Sequence, residues 1–223
     1  MFNMDNKRKA LIILKILKKE YKKYQKPVST SIQEKTKDPF KVLIATILSA
    51  RARDTQTEKI SNNLFKYADN PSKLAKMPLS KLQKIIRSIG FYKEKSKRIK
   101  KAAQYLLDNH KGDVPKTQEE LMKIPGVGRK TANVFLAEVH NLNFIGIDTH
   151  CMTVSNRLDF VKGRNPLKVE RILEELFPKN EWKIVNRTFV TFGQNICKPI
   201  KPLCYKCPIE KYCNYKFKNL LSL

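Results

Sequence analysis

An all-α fold is predicted, and three observations carry the prediction. Apolar residues recur at spacings of three and four along most of the 223-residue chain. No long stretch alternates apolar with polar residues, and only seven glycines and eleven prolines are present, which argues against a β-sandwich, a collagen-like chain or a flexible linker protein. Helix-start signals, a capping side chain followed by proline, stand ahead of several apolar runs.

The elements follow in order. Ala10, Ile13, Leu14, Leu17, Tyr21 and Tyr24 form one face of a first helix with lysines over much of the remainder, and it ends by Pro27. Val28 to Lys37 reads as a polar connection. Asp38-Pro39 supplies an N-cap and an N1 proline for an apolar helix to about Ala50, and Asn70-Pro71 repeats the device for a short helix. Pro78 opens another that stops at Gly90. Lys93 to His110 is helical, with Ile99, Ala102, Ala103 and Leu106 on one face and Lys93, Lys95, Lys97, Arg98, Lys100 and Lys101 over the rest. Thr117-x-x-Glu120 is a capping box for a short helix that runs into Ile124-Pro125-Gly126-Val127-Gly128, and a helix from Arg129 to about His140 follows. Asn143 to Ile147 is too short to found a sheet. Asp148 caps a helix through Arg157, with Cys151 on it as a small buried hydrophobe. Pro166 starts the next, and Glu181 to Gln194 forms the last long helix, with Trp182, Val185, Phe189 and Phe192 as its buried stripe.

Composition bounds the partners. Hydrophobic residues make up 41%, enough for a core, while 46 Lys+Arg against 20 Asp+Glu leave a net charge of +26. Such an excess repels itself in the compact state, so a polyanionic partner is the simplest account. Nucleic acid comes first, because neutralising phosphates releases condensed counterions; a lysine-biased composition and an anionic membrane surface are the competing readings. The most apolar stretch begins at Val42 and is broken by Thr46 and Ser49, far short of a membrane span. Residues 1–26 are charged throughout and lack the apolar centre of a signal peptide. The expectation is a monomeric cytoplasmic protein, nucleoid-associated in a prokaryote, with no membrane partner.

Four of the five cysteines, Cys197, Cys204, Cys207 and Cys213, lie close together with spacing C-x6-C-x2-C-x5-C. In a reducing cytosol this suits one four-thiolate metal site rather than disulfides. Zinc and a [4Fe-4S] cluster both accept four thiolates, and spacing alone does not choose between them. In the hairpin, Gly126 and Gly128 can take positive φ and admit another backbone closely, and the amides opening the Arg129 helix form an anion site suited to a DNA phosphate. An ordinary helix–helix turn is the plainer alternative.

The run from Leu121 to Asn133, Leu-Met-Lys-Ile-Pro-Gly-Val-Gly-Arg-Lys-Thr-Ala-Asn, resembles the helix–hairpin–helix of the endonuclease III family of DNA glycosylases. Ile147-Asp148-Thr149-His150 is similar to the family's Val-Asp-Thr-His segment, and the four-cysteine spacing matches its iron–sulfur loop. Ile47-Leu48-Ser49-Ala50 and Gly90-Phe91-Tyr92 resemble its Leu-Leu-Ser-Ala and Gly-Leu-Tyr stretches. The similarity covers nearly everything after about Pro39, with the motifs in family order.

The resemblance implies excision of oxidised pyrimidines from duplex DNA carrying damaged bases or abasic sites, followed by a nick through β-elimination. Lys130 matches the family's nucleophile and Asp148 its catalytic aspartate. The positive helix end and neighbouring Arg129 favour the uncharged amine that attack requires. Asp148 would stabilise positive charge at the sugar or relay a proton, alongside its plainer role as an N-cap. His150 reads as a packing residue. Phe91 takes the place of the family's wedge leucine, and packing at a helix end is its alternative. Arg51 stands where the family usually has glutamine, which leaves the opposite-base preference open. The cluster would be [4Fe-4S], with zinc as fallback, and its loop presents Lys198, Lys201, Lys206 and Lys211 to phosphates.

The expected architecture is bilobal. A central domain of residues 31–142 carries the hairpin (about 117–140), and residues 1–30 plus 143–223 form a second domain with the cluster loop at 197–213. Lys130 and Asp148 are expected to meet in a cleft between them. Two other classes compete: a monofunctional mismatch or alkylated-base glycosylase on the same fold, and a non-enzymatic DNA-binding module with a structural zinc.

Overall fold

The computed structural model describes residues 4–221, and all regular structure among them is helical. Twelve α-helices are present in the described residues: α1 Met4–Glu20, α2 Val28–Thr36, α3 Pro39–Ser49, α4 Asp54–Phe65, α5 Pro71–Lys76, α6 Leu79–Ile86, α7 Tyr92–His110, α8 Gln118–Lys123, α9 Arg129–Val139, α10 Thr149–Arg157, α11 Pro166–Leu176 and α12 Trp182–Asn195. Among the described residues, no helix is long and apolar enough to cross a membrane.

Local chemistry sets five of the starts through a capping side chain. Asp38 Oδ1 accepts from the Phe40 and Lys41 amides at 2.9 and 3.3 Å, with Pro39 in the first turn. Asn70 and Asn165 do the same ahead of Pro71 and Pro166, so three helices share one device. Thr117 caps α8 by accepting from the Glu120 amide; the Glu120 carboxylate takes the Thr117 hydroxyl at 2.9 Å instead of returning to the backbone.

Two helices were not expected. The stretch beginning at Val28 is helix α2, not a polar connection, and it buries Val28, Ser29, Thr30 and Ile32. Helix α4 fills a region with no predicted element, and its buried face is Thr57, Ile60, Ser61 and Leu64. Half of that face is hydroxyl, so its helical spacing is invisible to an apolar pattern. The two helices pack on one another, and Ser31 donates to Glu58 Oε1 at 2.6 Å across the pair.

The chain divides into two compact units. Residues 28–142 hold α2 to α9, with Leu43, Ile44, Leu48, Leu64, Leu82 and Phe135 fully buried. Residues 1–27 with 143–223 hold α1 and α10 to α12. Their core joins Ala10, Ile13, Leu14 and Leu17 to Cys151, Val154, Leu173, Val185 and Phe189. Edge-to-face contacts from Phe160 to Phe177 and Phe177 to Phe189 align this aromatic core.

Candidate active site and nucleic-acid interface

Residues 124–128 join α8 to α9. The turn closes where the Val127 amide donates to Ile124 O at 3.0 Å, with Ile124 and Val127 both buried. Gly126 adopts φ +89°, and a β carbon there would lie 3.3 Å from Ile47 Cγ2 and 3.4 Å from Arg98 Cβ. It is glycine for both reasons, conformation and space. Gly128 is different from the expectation: its φ is −99° and a β carbon would meet nothing within 4 Å. Its contribution is bareness, because it is the N-cap of α9 and offers no side chain to the amides that open the helix.

Amides left without a side-chain cap at a helix N-terminus are suited to an anion, and Arg129 and Lys130 are the first two residues of this helix. Arg129 is exposed and donates from Nη1 to Gln118 Oε1 at 3.0 Å, while Gln118 also bonds Asn133 Oδ1. Gln118 thus ties the two hairpin helices together and holds the guanidinium. Lys130 is half-buried. Arg98 of α7, whose aliphatic stem packs beneath Gly126, adds an exposed cation. Neither Gln118 nor Arg98 carried a sequence signal, since each matters only through contacts across the hairpin.

Among the exposed, bulky residues of this unit in left-handed conformation, alongside Lys37 and Lys111, are Arg51 at φ +53° and Phe91 at φ +59°. A left-handed conformation costs such residues about 1–2 kcal/mol each. Their loops adjoin, since a β carbon on Gly90 would lie 3.8 Å from Arg51 O, and Gln56 Nε2 bonds Ser88 O nearby. Phe91 is 64% exposed, so packing does not account for it. It is also the N-cap residue of α7, its carbonyl accepting from the Lys95 amide at 3.0 Å. Lys95 itself is buried, which the sequence did not foretell.

In the other unit, Asp148 is the N-cap of α10, and its Oδ1 accepts from the Cys151 amide at 2.7 Å. The side chain stays half-exposed, so capping uses one oxygen and leaves the carboxylate reachable. Cys151 is fully buried in the core.

Cys197, Cys204, Cys207 and Cys213 line one cavity with Arg157 and Tyr215, and none is in a disulfide. Among the described residues no three His, Cys, Asp or Glu side chains converge tightly enough, as they stand, to hold a metal ion. Their surroundings nonetheless suit thiolates. Arg157 Nη1 donates to Cys197 Sγ at 3.3 Å and to Lys198 O at 2.7 Å, its Nη2 to Pro199 O at 2.9 Å, and the guanidinium stacks 4.4 Å from the Tyr215 ring centre. Burial pushes the Cys207 thiol up to about 12 and raises that of Cys197, so a cation is needed to keep these sulfurs ionised. A partly buried set of four cysteines lining one cavity, with an N–H donor aimed at one sulfur, fits an iron–sulfur group. Lys201 and Lys206 on this loop are exposed, Lys201 at φ +50°. Arg157 went unnoticed in the sequence because 40 residues separate it from Cys197.

The family model described as HhH-GPD superfamily base excision DNA repair protein matches residues 44–179. Endonuclease III of Thermotoga maritima is 42% identical over 181 residues, 81% of this chain and 85% of that one. A trapped endonuclease III–DNA covalent intermediate superposes with a TM-score of 0.85 at 35% identity, covering 96% of this chain and 97% of the other. A thermostable thymine-DNA glycosylase shares the fold, with a TM-score of 0.81 at 24% identity and coverage of 93% and 96%.

Proposed function

The chain belongs to the HhH-GPD superfamily of base excision DNA repair proteins, and from that membership and its likeness to endonuclease III we propose a bifunctional DNA glycosylase with abasic-site lyase activity. Its substrate is duplex DNA carrying oxidised pyrimidines or abasic sites, and it works as a monomer in the cytoplasm or nucleoid. The observation that carries the reading is the placement of Lys130. It is the second residue of α9, directly behind an uncapped turn of backbone amides that suits a phosphate, so one short motif supplies both a grip on the strand and an amine beside it.

The chemistry follows from these groups. The Lys130 amine attacks C1′ of the damaged nucleotide, and the C1′–N bond breaks with its electron pair leaving on the base. The Asp148 carboxylate stabilises the positive charge that develops at the sugar. The C1′–O4′ bond then breaks as the amine proton passes to O4′, opening the sugar to a Schiff base in which the C2′ proton is acidic. Its removal expels the 3′ phosphate, and hydrolysis returns the amine. Rotating the nucleotide outward costs a few kcal/mol of stacking and pairing. Phe91, exposed and held by its backbone, stacks into the gap, and Arg51 hydrogen-bonds the orphaned base, with guanine the best match for its guanidinium. Gly126, Gly128 and Arg129 hold the backbone phosphate. Cys197, Cys204, Cys207 and Cys213 would hold a [4Fe-4S] cluster, which organises the basic loop so that Lys201 and Lys206 reach phosphates.

Borohydride reduction during turnover tests the assignment. Wild-type protein should be trapped covalently on duplex containing an oxidised pyrimidine, and Lys130→Gln should not. An adduct of undiminished yield in Lys130→Gln would remove Lys130 from the chemistry, and base release without strand scission in the wild type would mark a monofunctional enzyme.

A further inference from the structure

Asp148 ends an irregular segment, residues 141–148, that has no hydrogen-bonded ladder to hold it. Beyond the bond that Asp148 Oδ1 accepts from the Cys151 amide, its position is set by what packs against it. Helix α12 touches the chain on both sides of Asp148, once in this segment and once at the start of α10. Asn186, 8% exposed, donates its side-chain N–H to the carbonyl of Gly146, two residues before Asp148. Seven residues further, two helical turns along the same face, Gly193 opens a notch that receives His150, two residues after Asp148.

The notch is tight. A β carbon on Gly193 would stand 2.8 Å from His150 Cβ, 3.2 Å from Nδ1 and 3.3 Å from Cα. The near end of the side chain and the backbone are met together, so no rotamer change relieves the overlap. Gly193 is in a helix interior with no left-handed backbone, where glycine costs about 1 kcal/mol relative to alanine. His150 Nδ1 is buried without a hydrogen-bond partner among the described residues. Both features cost stability, and shape, not hydrogen bonding, is what the pair provides.

We propose that Asn186 and Gly193 are positioning residues that bracket Asp148 from α12, fixing its carboxylate by a hydrogen bond on one side and a ring-in-notch contact on the other. This rests on the reading of Asp148 as the catalytic carboxylate. Neither residue touches the reacting atoms. Misplacing a catalytic group by about 1 Å costs on the order of a hundredfold in rate, so small errors in this bracket are amplified.

The test is single-turnover base excision on a duplex carrying one oxidised pyrimidine, with equilibrium binding of the same duplex measured alongside. Asn186→Asp keeps the shape but replaces the donor with a second acceptor facing Gly146 O. Gly193→Ala fills the notch. Each should slow excision by roughly ten- to a hundredfold while binding stays within about twofold. His150→Gly in the Gly193→Ala background removes the facing β carbon and ring and should recover most of the lost rate. Unchanged rates in both single variants would overturn the proposal. So would a loss of binding that parallels the loss of rate, or a double variant no faster than Gly193→Ala. A wild-type enzyme that neither releases base nor nicks would refute the functional reading itself, whereas an active wild type with an inactive Asp148→Asn and indifferent α12 variants would refute only the bracket.

Discussion

Gly126 and Gly128 look interchangeable in the motif, and the structure makes them opposites under substitution. At Gly126, alanine must adopt φ +89°, at a cost of about 1–2 kcal/mol for a left-handed L-residue. Its β carbon also enters space 3.3 Å from Ile47 Cγ2 and 3.4 Å from Arg98 Cβ, with an overpacking cost near the low end of about 1–3 kcal/mol. Together the two give roughly 2–4 kcal/mol, a melting-temperature drop of roughly 4–16 °C for a chain of this size. At Gly128 the backbone is ordinary and the space empty, so alanine trades a poorer N-cap against a less flexible unfolded chain and changes stability by less than about 0.5 kcal/mol. Gly128→Ser should be neutral or stabilising, because its hydroxyl can accept from the amides opening α9. That hydroxyl would compete with phosphate, weakening duplex binding about fivefold, or about 1 kcal/mol. Thermal unfolding by circular dichroism and fluorescence anisotropy with a labelled duplex separate the two effects. Equal destabilisation by Gly126→Ala and Gly128→Ala, or tighter DNA binding by Gly128→Ser, would refute the reasoning.

Phe91→Ala should leave stability within about 0.5 kcal/mol, since the ring is 64% exposed, yet slow excision at least about tenfold; a normal excision rate would remove the wedge role. Arg157→Ala breaks four hydrogen bonds into the cysteine loop and should lower bound iron per chain in purified protein, measured by elemental analysis; full iron content would show that the loop does not depend on this arginine. Burial, aided by Arg98, lowers the pKa of Lys95 from 10.5 to about 8, and its Nζ lacks a hydrogen-bond partner among the described residues. The unfolded chain therefore holds more protons between those values, so the destabilisation due to Lys95 is complete below about 8 and disappears as pH rises toward 10.5. Lys95→Met should be more stable than wild type by about 3 kcal/mol at pH 7, with the gap narrowing by pH 9.5 in urea unfolding; a gap independent of pH would contradict the buried-charge account.

Much of the fold was legible because its signals are local. Asp38, Asn70 and Asn165 cap the helices they precede through bonds to amides two or three residues away, and short-range chemistry of that kind needs no tertiary context. The reading failed at α2 and α4, where the buried faces are built from Thr30, Thr57 and Ser61 as much as from Ile32, Ile60 and Leu64. Small hydroxyl residues pack into a core when their neighbours accept them, and the neighbours are unknown until the chain folds.

The candidate site divides along the same line. Lys130, Asp148, Arg51 and Phe91 are proposed from the motifs that resemble the family's, and the four cysteines from their spacing, because each sits in a short run that can be read along the chain. Which glycine of the hairpin is strained and that Arg157 reaches Cys197 were settled by packing between distant segments. The physical reason is range: capping and motif chemistry act over a few bonds of chain, whereas space, burial and desolvation come from residues that meet only after folding.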